Sequence, residues 1–277
     1  MIPLRDNIPT DRFPVLTVAF IAINVLVFLL LQGPSFSLSG GDAVETKPVV
    51  EYGAIPYRIT NPGEDCNLVP ARATTTGSEL LVCEGTADYR EAQRVGVPVE
   101  NLEQPPALLT IFTSMFMHGG WLHIIGNMLF LWIFGNNVED SMGRPRFAAF
   151  YLLGGVAAAL AQVAIDPDST VPLVGASGAI AAVLGGYALL YPRARVLTLF
   201  FFFFIFFIEV PALVLLGLWI FTQFLPAVGQ LATPDVGDGG GVAYWAHIGG
   251  FLFGLAAIKL FAHRRSAEYG RPKYPVY

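Results

Sequence analysis

Charge is scarce in this chain. Lys, Arg, Asp and Glu together make up 13% of its 277 residues, about half the share usual in soluble domains, while 54% are hydrophobic. That balance excludes a disordered chain. Basic residues are in deficit as well, 16 Lys and Arg against 21 Asp and Glu, so nothing is available to hold a phosphate backbone and nucleic acid is excluded as a partner. Cysteine occurs twice, at Cys66 and Cys83. The sequence has no His/Cys cluster with metal-ligand spacing, no nucleotide-cradling glycine loop and no haem motif, so neither a metal nor a cofactor is expected. What the chain does have is long apolar runs and a mean hydropathy of +0.58. These point to an integral membrane protein.

A spanning helix needs about 20 apolar residues to cover roughly 30 Å of hydrocarbon. Six segments qualify, at 14–32, 119–137, 147–165, 175–191, 209–228 and 243–262. The first is too long for a signal-peptide core and is followed by QGPSFS, a poor cleavage site, so it reads as a retained span. Basic residues near span ends stay cytoplasmic. Arg5, Arg12, Arg144, Arg146, Arg193, Arg195, Arg264, Arg265, Arg271 and Lys273 all fall on one side of the six-span scheme, and the opposite short loops, 166–175 and 226–241, contain no Lys or Arg. Both termini are therefore expected in the cytoplasm, in a cell (plasma or inner) membrane, with membrane lipid as the surroundings.

This orientation puts the long polar segment after the first span outside the cell. Between Asp42 and Glu103 it holds eleven acids and five bases, and long outer segments translocate largely regardless of charge. Cys66 and Cys83 both lie there, where a disulfide would persist; the other reading is two unpaired thiols. The stretch 196–208 (VLTLFFFFFIFFI) runs on into the fifth span and would make a helix of over 30 residues. Pro211 favours a break, so 196–208 reads as an interfacial or partly re-entrant segment leading into a helix that starts near Glu209, with one long tilted helix as the alternative.

Polar residues within spans are costly, so each needs a reason. His123 and Asn127 in span two, Ser177 at the start of span four and His247 near the start of span six stand out, all toward the outer ends of helices that run inward. Taken alone, a serine here usually bonds its own backbone, and a histidine usually bonds a neighbouring helix. The setting of Ser177 is different, because it stands in Gly175-Ala176-Ser177-Gly178, at a helix start whose first amides are free to donate. Serine hydrolysis needs a base for the hydroxyl proton and donors for the oxyanion. His247 suits the base. His123 and Asn127, spaced i and i+4, share a helix face and could line an oxyanion hole with the Ser177 amide. No acid lies near His247, since Glu209 falls at the far end of span five, so a Ser/His dyad is expected. Gly250 and Gly254 follow His247 at small-xxx-small spacing and would let its helix pack tightly on that of Ser177.

GASG at 175–178, AHIGGFLFG at 246–254 and MHGGWLHIIGN at 117–127 together resemble the rhomboid intramembrane serine proteases, over nearly everything from about Leu108 to Phe261. The resemblance implies an all-α, six-transmembrane-helix bundle. It implies Ser177 as nucleophile, His247 as base, His123 and Asn127 as oxyanion donors, and structural roles for His118, Glu139 and the Gly143-Arg144 turn. The chain departs from some relatives in having Leu109-Thr110 where they carry Trp-Arg. It also has Ala181 where some place a tyrosine against the base, so something else must hold the His247 ring. The expected organisation is a cytoplasmic N-terminus (1–13), a first transmembrane helix (14–32), an extracytoplasmic loop (33–107), a catalytic core (108–262) and a cytoplasmic tail (263–277). The implied activity is endoproteolysis of single-span membrane substrates near the outer side of the bilayer. Alternatives are a non-catalytic relative that binds transmembrane segments, and a transporter.

Overall fold

Each apolar segment predicted to span is helical in the computed structural model, which describes residues 1–33, 45–74, 79–201, 204–232 and 242–263. The basic residues Arg264, Arg265, Arg271 and Lys273, and much of the loop 226–241, lie outside the described residues. The chain opens with strand β1 (Ile2–Asp6) and helix α1 (Val15–Leu30). The polar segment then forms α2 (Thr46–Tyr52), α3 (Pro56–Thr60), a hairpin of β2 (Cys66–Val69) and β3 (Leu80–Cys83), and α4 (Ala87–Arg94). A short α5 (Ala107–Thr113) leads to α6 (Trp121–Phe130), which continues through a π-helical turn, Leu131–Gly135, into α7 (Asn136–Met142). The long α8 (Arg144–Ile165) and α9 (Ser177–Leu190) come next. Strands β4 (Arg195–Phe201) and β5 (Ile205–Pro211) precede α10 (Ala212–Ala232) and α11 (Tyr244–Phe261).

Among the described residues, three helices are long and apolar enough to cross a membrane: Arg144–Ile165, Ala212–Gln230 and Tyr244–Phe261. The pair Ala107–Phe116 and Trp121–Met142, bent by 81°, makes a fourth if it is one span; α1 and α9 are apolar but shorter, at 16 and 14 residues. The protein is therefore a multi-pass membrane protein built as a helical bundle.

α9 is the axis of that bundle. Ala179 to Ala188 are all buried, and the small residues among them let neighbours come to backbone contact. A Cβ on Gly250 would collide with the Gly178 carbonyl oxygen, and one on Gly254 with that of Ala182. On the other flank, a Cβ added to Gly178 would stand 2.6 Å from the Ala158 Cβ of α8. The predicted small-residue seam thus joins α9 to α11, and α8 closes against both.

Glu139 of α7 supplies what α1 lacks. The first turn of α1 has no side-chain cap of its own, and its orphan amides need acceptors. Glu139 accepts from the Leu16 and Thr17 amides at 3.0 and 2.8 Å and from the Thr17 hydroxyl at 2.9 Å. Arg144 opens α8 after Gly143, whose φ of +79° makes the sharp turn, and lies exposed on the rim of a shallow pocket shared with Arg12, Glu139 and Asp140.

The segment 196–208 is not the start of one long tilted helix. It belongs to a β-hairpin, β4 paired antiparallel with β5 from Arg195↔Pro211 to Phe201↔Ile205, and β1 adds on the other side of β4. The helix accordingly starts at Ala212, and Glu209 is a strand residue beside Arg195. β-Branched and aromatic residues fit a pleated surface, and the pairing satisfies amides that an irregular apolar segment would leave open. Val196 and Thr198 turn inward, both 0% exposed, while Phe204 to Ile208 face outward.

The polar insertion has small cores of its own. Cys66 and Cys83 are directly paired across the β2–β3 hairpin and joined by a disulfide. It docks on the loop that leads into Ser177. Ala54 and Leu173 exchange two backbone hydrogen bonds of 3.0 and 2.8 Å, Tyr57 donates its amide to the Ser169 carbonyl, and the Thr60 hydroxyl donates to that of Pro167.

Candidate active site

Ser177 is the first residue of α9, and the chain reaches it through Gly175, whose φ of +125° is open to few side-chain-bearing residues. The Gly175 amide donates to the Ser114 carbonyl at 2.9 Å, which fixes the turn. The amides of the first turn have no acceptor inside the helix, so the Ser177 N–H is available beside its own hydroxyl. His247 lies one turn into α11, and its Nε2 is 2.7 Å from Ser177 Oγ. Because Gly250 and Gly254 bring the two backbones into contact, these residues, 70 positions apart, meet at hydrogen-bond distance.

α6 brings up the other pair. The Gly119 amide donates to His123 Nδ1 at 3.2 Å, so in the neutral ring the proton resides on Nε2. That nitrogen points at Gly175, where a Cβ would stand 2.8 Å from His123 Nε2 and 3.5 Å from Ser177 Oγ. The missing side chain leaves a small cradle between the Ser177 hydroxyl and His123 Nε2. Asn127 Nδ2 is buried without a hydrogen-bond partner among the described residues. Ser177, His123, Asn127 and His247 all line one cleft of about 750 Å³.

His118 is fully buried beside this pair rather than in the cleft. Its ring stands edge-on to that of His123, centroids 5.1 Å apart, and to that of Phe28. Gln32, just after α1, clamps its backbone from both sides: Nε2 donates to the His118 carbonyl at 2.7 Å, and Oε1 accepts its amide at 2.8 Å. Glu139, Arg144, Cys66 and Cys83 lie away from the cleft.

Two residues of α10 complete the surroundings of His247, and neither stood out in the sequence. The Trp219 ring packs against the His247 ring with centroids 5.8 Å apart, and Gln223 Oε1 lies 2.8 Å from His247 Nδ1. They hold the His247 ring, to which Ala181 offers only a methyl group. Gln223 is a polar side chain within a predicted span, and that is the signal that could have marked it.

The arrangement has a hydroxyl against an imidazole nitrogen at the wall of an open cleft, with the His123 ring across a cradle and the Asn127 amide nearby. A Rhomboid domain matches residues 105–264, which carry all four of these side chains. Over 155 residues, 53% of the chain, it is 32% identical to Rhomboid protein 1, mitochondrial, of Saccharomyces cerevisiae, covering 40% of that protein. It is 31% identical to Rhomboid-like protein 11, chloroplastic, of Arabidopsis thaliana over 59% of the chain and 56% of that protein. With Rhomboid protease GluP of Bacillus subtilis the identity is 25% over 93% of the chain and 37% of the relative. The chain thus spans about two fifths to just over half of these relatives' lengths. With a matched domain covering more than half of its residues, the chain belongs to the rhomboid family.

Proposed function

We propose that this protein is an intramembrane serine endopeptidase in which Ser177 is the nucleophile and His247 the general base. The observation that carries the reading is the 2.7 Å contact between Ser177 Oγ and His247 Nε2, at the wall of an open cleft that also holds the Asn127 amide, which has no hydrogen-bond partner among the described residues. Ser177 Oγ attacks the scissile carbonyl carbon while His247 Nε2 takes its proton. The carbonyl oxygen becomes an oxyanion in the cradle at Gly175, facing the His123 Nε2–H, the Asn127 amide and the Ser177 N–H. Collapse breaks the C–N bond as His247 returns the proton to the leaving amine. A water, activated by the same histidine, then releases the acyl group.

On this reading the chain crosses six times with both termini in the cytoplasm, and the cleft opens toward the outer side, where water is at hand. Substrates are single-span membrane proteins whose scissile segment unwinds easily, rich in weak helix formers such as Gly and Pro. They enter sideways between α6 and α10, which meet through Phe130 and Trp219, ring centroids 6.4 Å apart. A conducting pathway is not favoured: Leu131, Phe134, Val183 and Leu216 are all 0% exposed and fill the bundle beyond the cleft. A non-catalytic relative would not need the paired serine and histidine.

The test is cleavage of a single-span reporter by protein reconstituted in vesicles. Ser177→Ala and His247→Ala are expected to abolish product, whereas parental rates in both would overturn the assignment.

A further inference from the structure

The hydrogen bonds around Gln223 run in one direction. The Thr222 hydroxyl donates to the Trp219 carbonyl at 2.6 Å, which leaves its oxygen free to accept from Gln223 Nε2 at 3.0 Å. The carboxamide is thereby oriented with Oε1 toward His247 Nδ1, at 2.8 Å. A carboxamide oxygen only accepts, so Nδ1 must carry the ring proton. In the neutral ring Nε2 then has a free lone pair, and it is Nε2 that lies 2.7 Å from Ser177 Oγ. The chain of donors, from Ser177 to His247 to Gln223 to Thr222, leaves the base in the one tautomer able to take the serine proton. The Trp219 ring, tilted 38° to the imidazole, packs against it on one side.

We propose that Gln223 is a positioning residue for the base: from α10 it holds His247 in the Nδ1-protonated tautomer and aims Nε2 at Ser177. The role rests on the protease reading above, and adds a third member where only a serine and a histidine were expected. A neutral acceptor fixes the tautomer but offers the imidazolium less support than a carboxylate would. In serine proteases with an acid at this place, presenting the wrong tautomer lowers kcat about 10⁴-fold. Loss of the weaker amide contact is expected to lower the rate about 10- to 100-fold.

The experiment uses the full chain in vesicles and two readouts. One is cleavage of the single-span reporter. The other is labelling by a soluble fluorophosphonate, in which Ser177 Oγ forms a bond to phosphorus, fluoride leaves and the serine proton passes to His247. Labelling needs an activated serine but no lateral entry of a helix. Gln223→Ala and the near-isosteric Gln223→Met are expected to slow labelling and kcat by the same factor, with reporter KM changed less than about threefold. Gln223→Glu restores an acceptor, so it is expected to recover labelling and to move the acidic limb of the pH–rate profile to higher pH, because a carboxylate stabilises the imidazolium. Among the described residues, the other titratable group lining the cleft is His123, which is present in every variant. Parental labelling rates in Gln223→Ala and Gln223→Met would overturn the proposal, as would a loss confined to KM or a Gln223→Glu protein as slow as Gln223→Met. Ser177→Ala separates the two levels: if it still labels, the nucleophile assignment fails, whatever Gln223 does.

Discussion

Gly175 keeps the cradle open. Its φ of +125° is strained for any L side chain, and even a methyl group would press to 2.8 Å from His123 Nε2. Gly175→Ala is therefore expected to lose reporter cleavage by at least about 100-fold, comparable to deleting a donor at the oxyanion, with the fold retained. Asn127→Ala and His123→Ala each remove one donor, expected to cost about 3 kcal/mol in kcat, less than loss of Ser177 or His247. Single-turnover rates on the reporter check all three. Ser177, His247, His123 and Asn127 were legible in the sequence because a polar side chain in an apolar helix calls for a reason. Gln223 is polar too, but a carboxamide carries no charge and lies next to Thr222. Only the rotation of α10 about its axis brings it to His247 rather than to lipid, and no spacing within the chain encodes that rotation.

Among the elements, the α9–α11 seam leaves the least room. Gly254→Leu would drive a side chain into the Ala182 carbonyl, so it is expected to cause unfolding or loss of the Ser177–His247 contact, seen as a lower thermal midpoint together with lost labelling. α10 differs, being the least buried of the three long apolar helices. A disulfide engineered between α6 and α10 should stop cleavage of a membrane-embedded reporter and leave labelling by a soluble fluorophosphonate intact, since Gln223 stays in place. Unchanged reporter cleavage in the oxidised form would refute lateral entry there. The helices were readable from apolar length alone, and the α9–α11 seam from glycine spacing. The β4–β5 hairpin was not, because a run of phenylalanines lacks the alternation that marks a half-buried strand, and its pairing with β1 joins segments almost two hundred residues apart. The docking of the insertion onto residues 167–173 was equally hidden, resting mainly on backbone groups, with the Thr60 hydroxyl as a side-chain donor.

At the scale of the whole molecule, α9 links the cleft to the N-terminal strand. Ser177 and Tyr187 are ten residues apart, about 15 Å along the helix. The Tyr187 hydroxyl donates to Asp6 Oδ2, and Asn137 Nδ2 donates to the same oxygen at 2.8 Å, so one carboxyl at the end of β1 ties that strand to α7 and α9. Burial pushes the Asp6 pKa up from 3.8 to about 7, against the opposing pull of the Tyr187 hydrogen bond. Between those two values the folded chain binds a proton that the unfolded chain has released. Stability from this group is therefore full below about pH 4, falls as the pH rises and is gone above about 7. At roughly 1.4 kcal/mol per pH unit, and discounting for the part of the carboxyl that meets water, the whole change is about 1–4 kcal/mol. Thermal unfolding of the reconstituted protein should accordingly have a higher midpoint at pH 5.5 than at pH 8. Asp6→Asn keeps the acceptor for Tyr187 but has no proton to lose, so its midpoint should vary less with pH over this range and at pH 8 should match or exceed that of the parent. A variant with the parental slope would move the titration to another group. A parent whose midpoint rises with pH would mean that Asp6 is ionised in the folded protein and stabilised by its two donors.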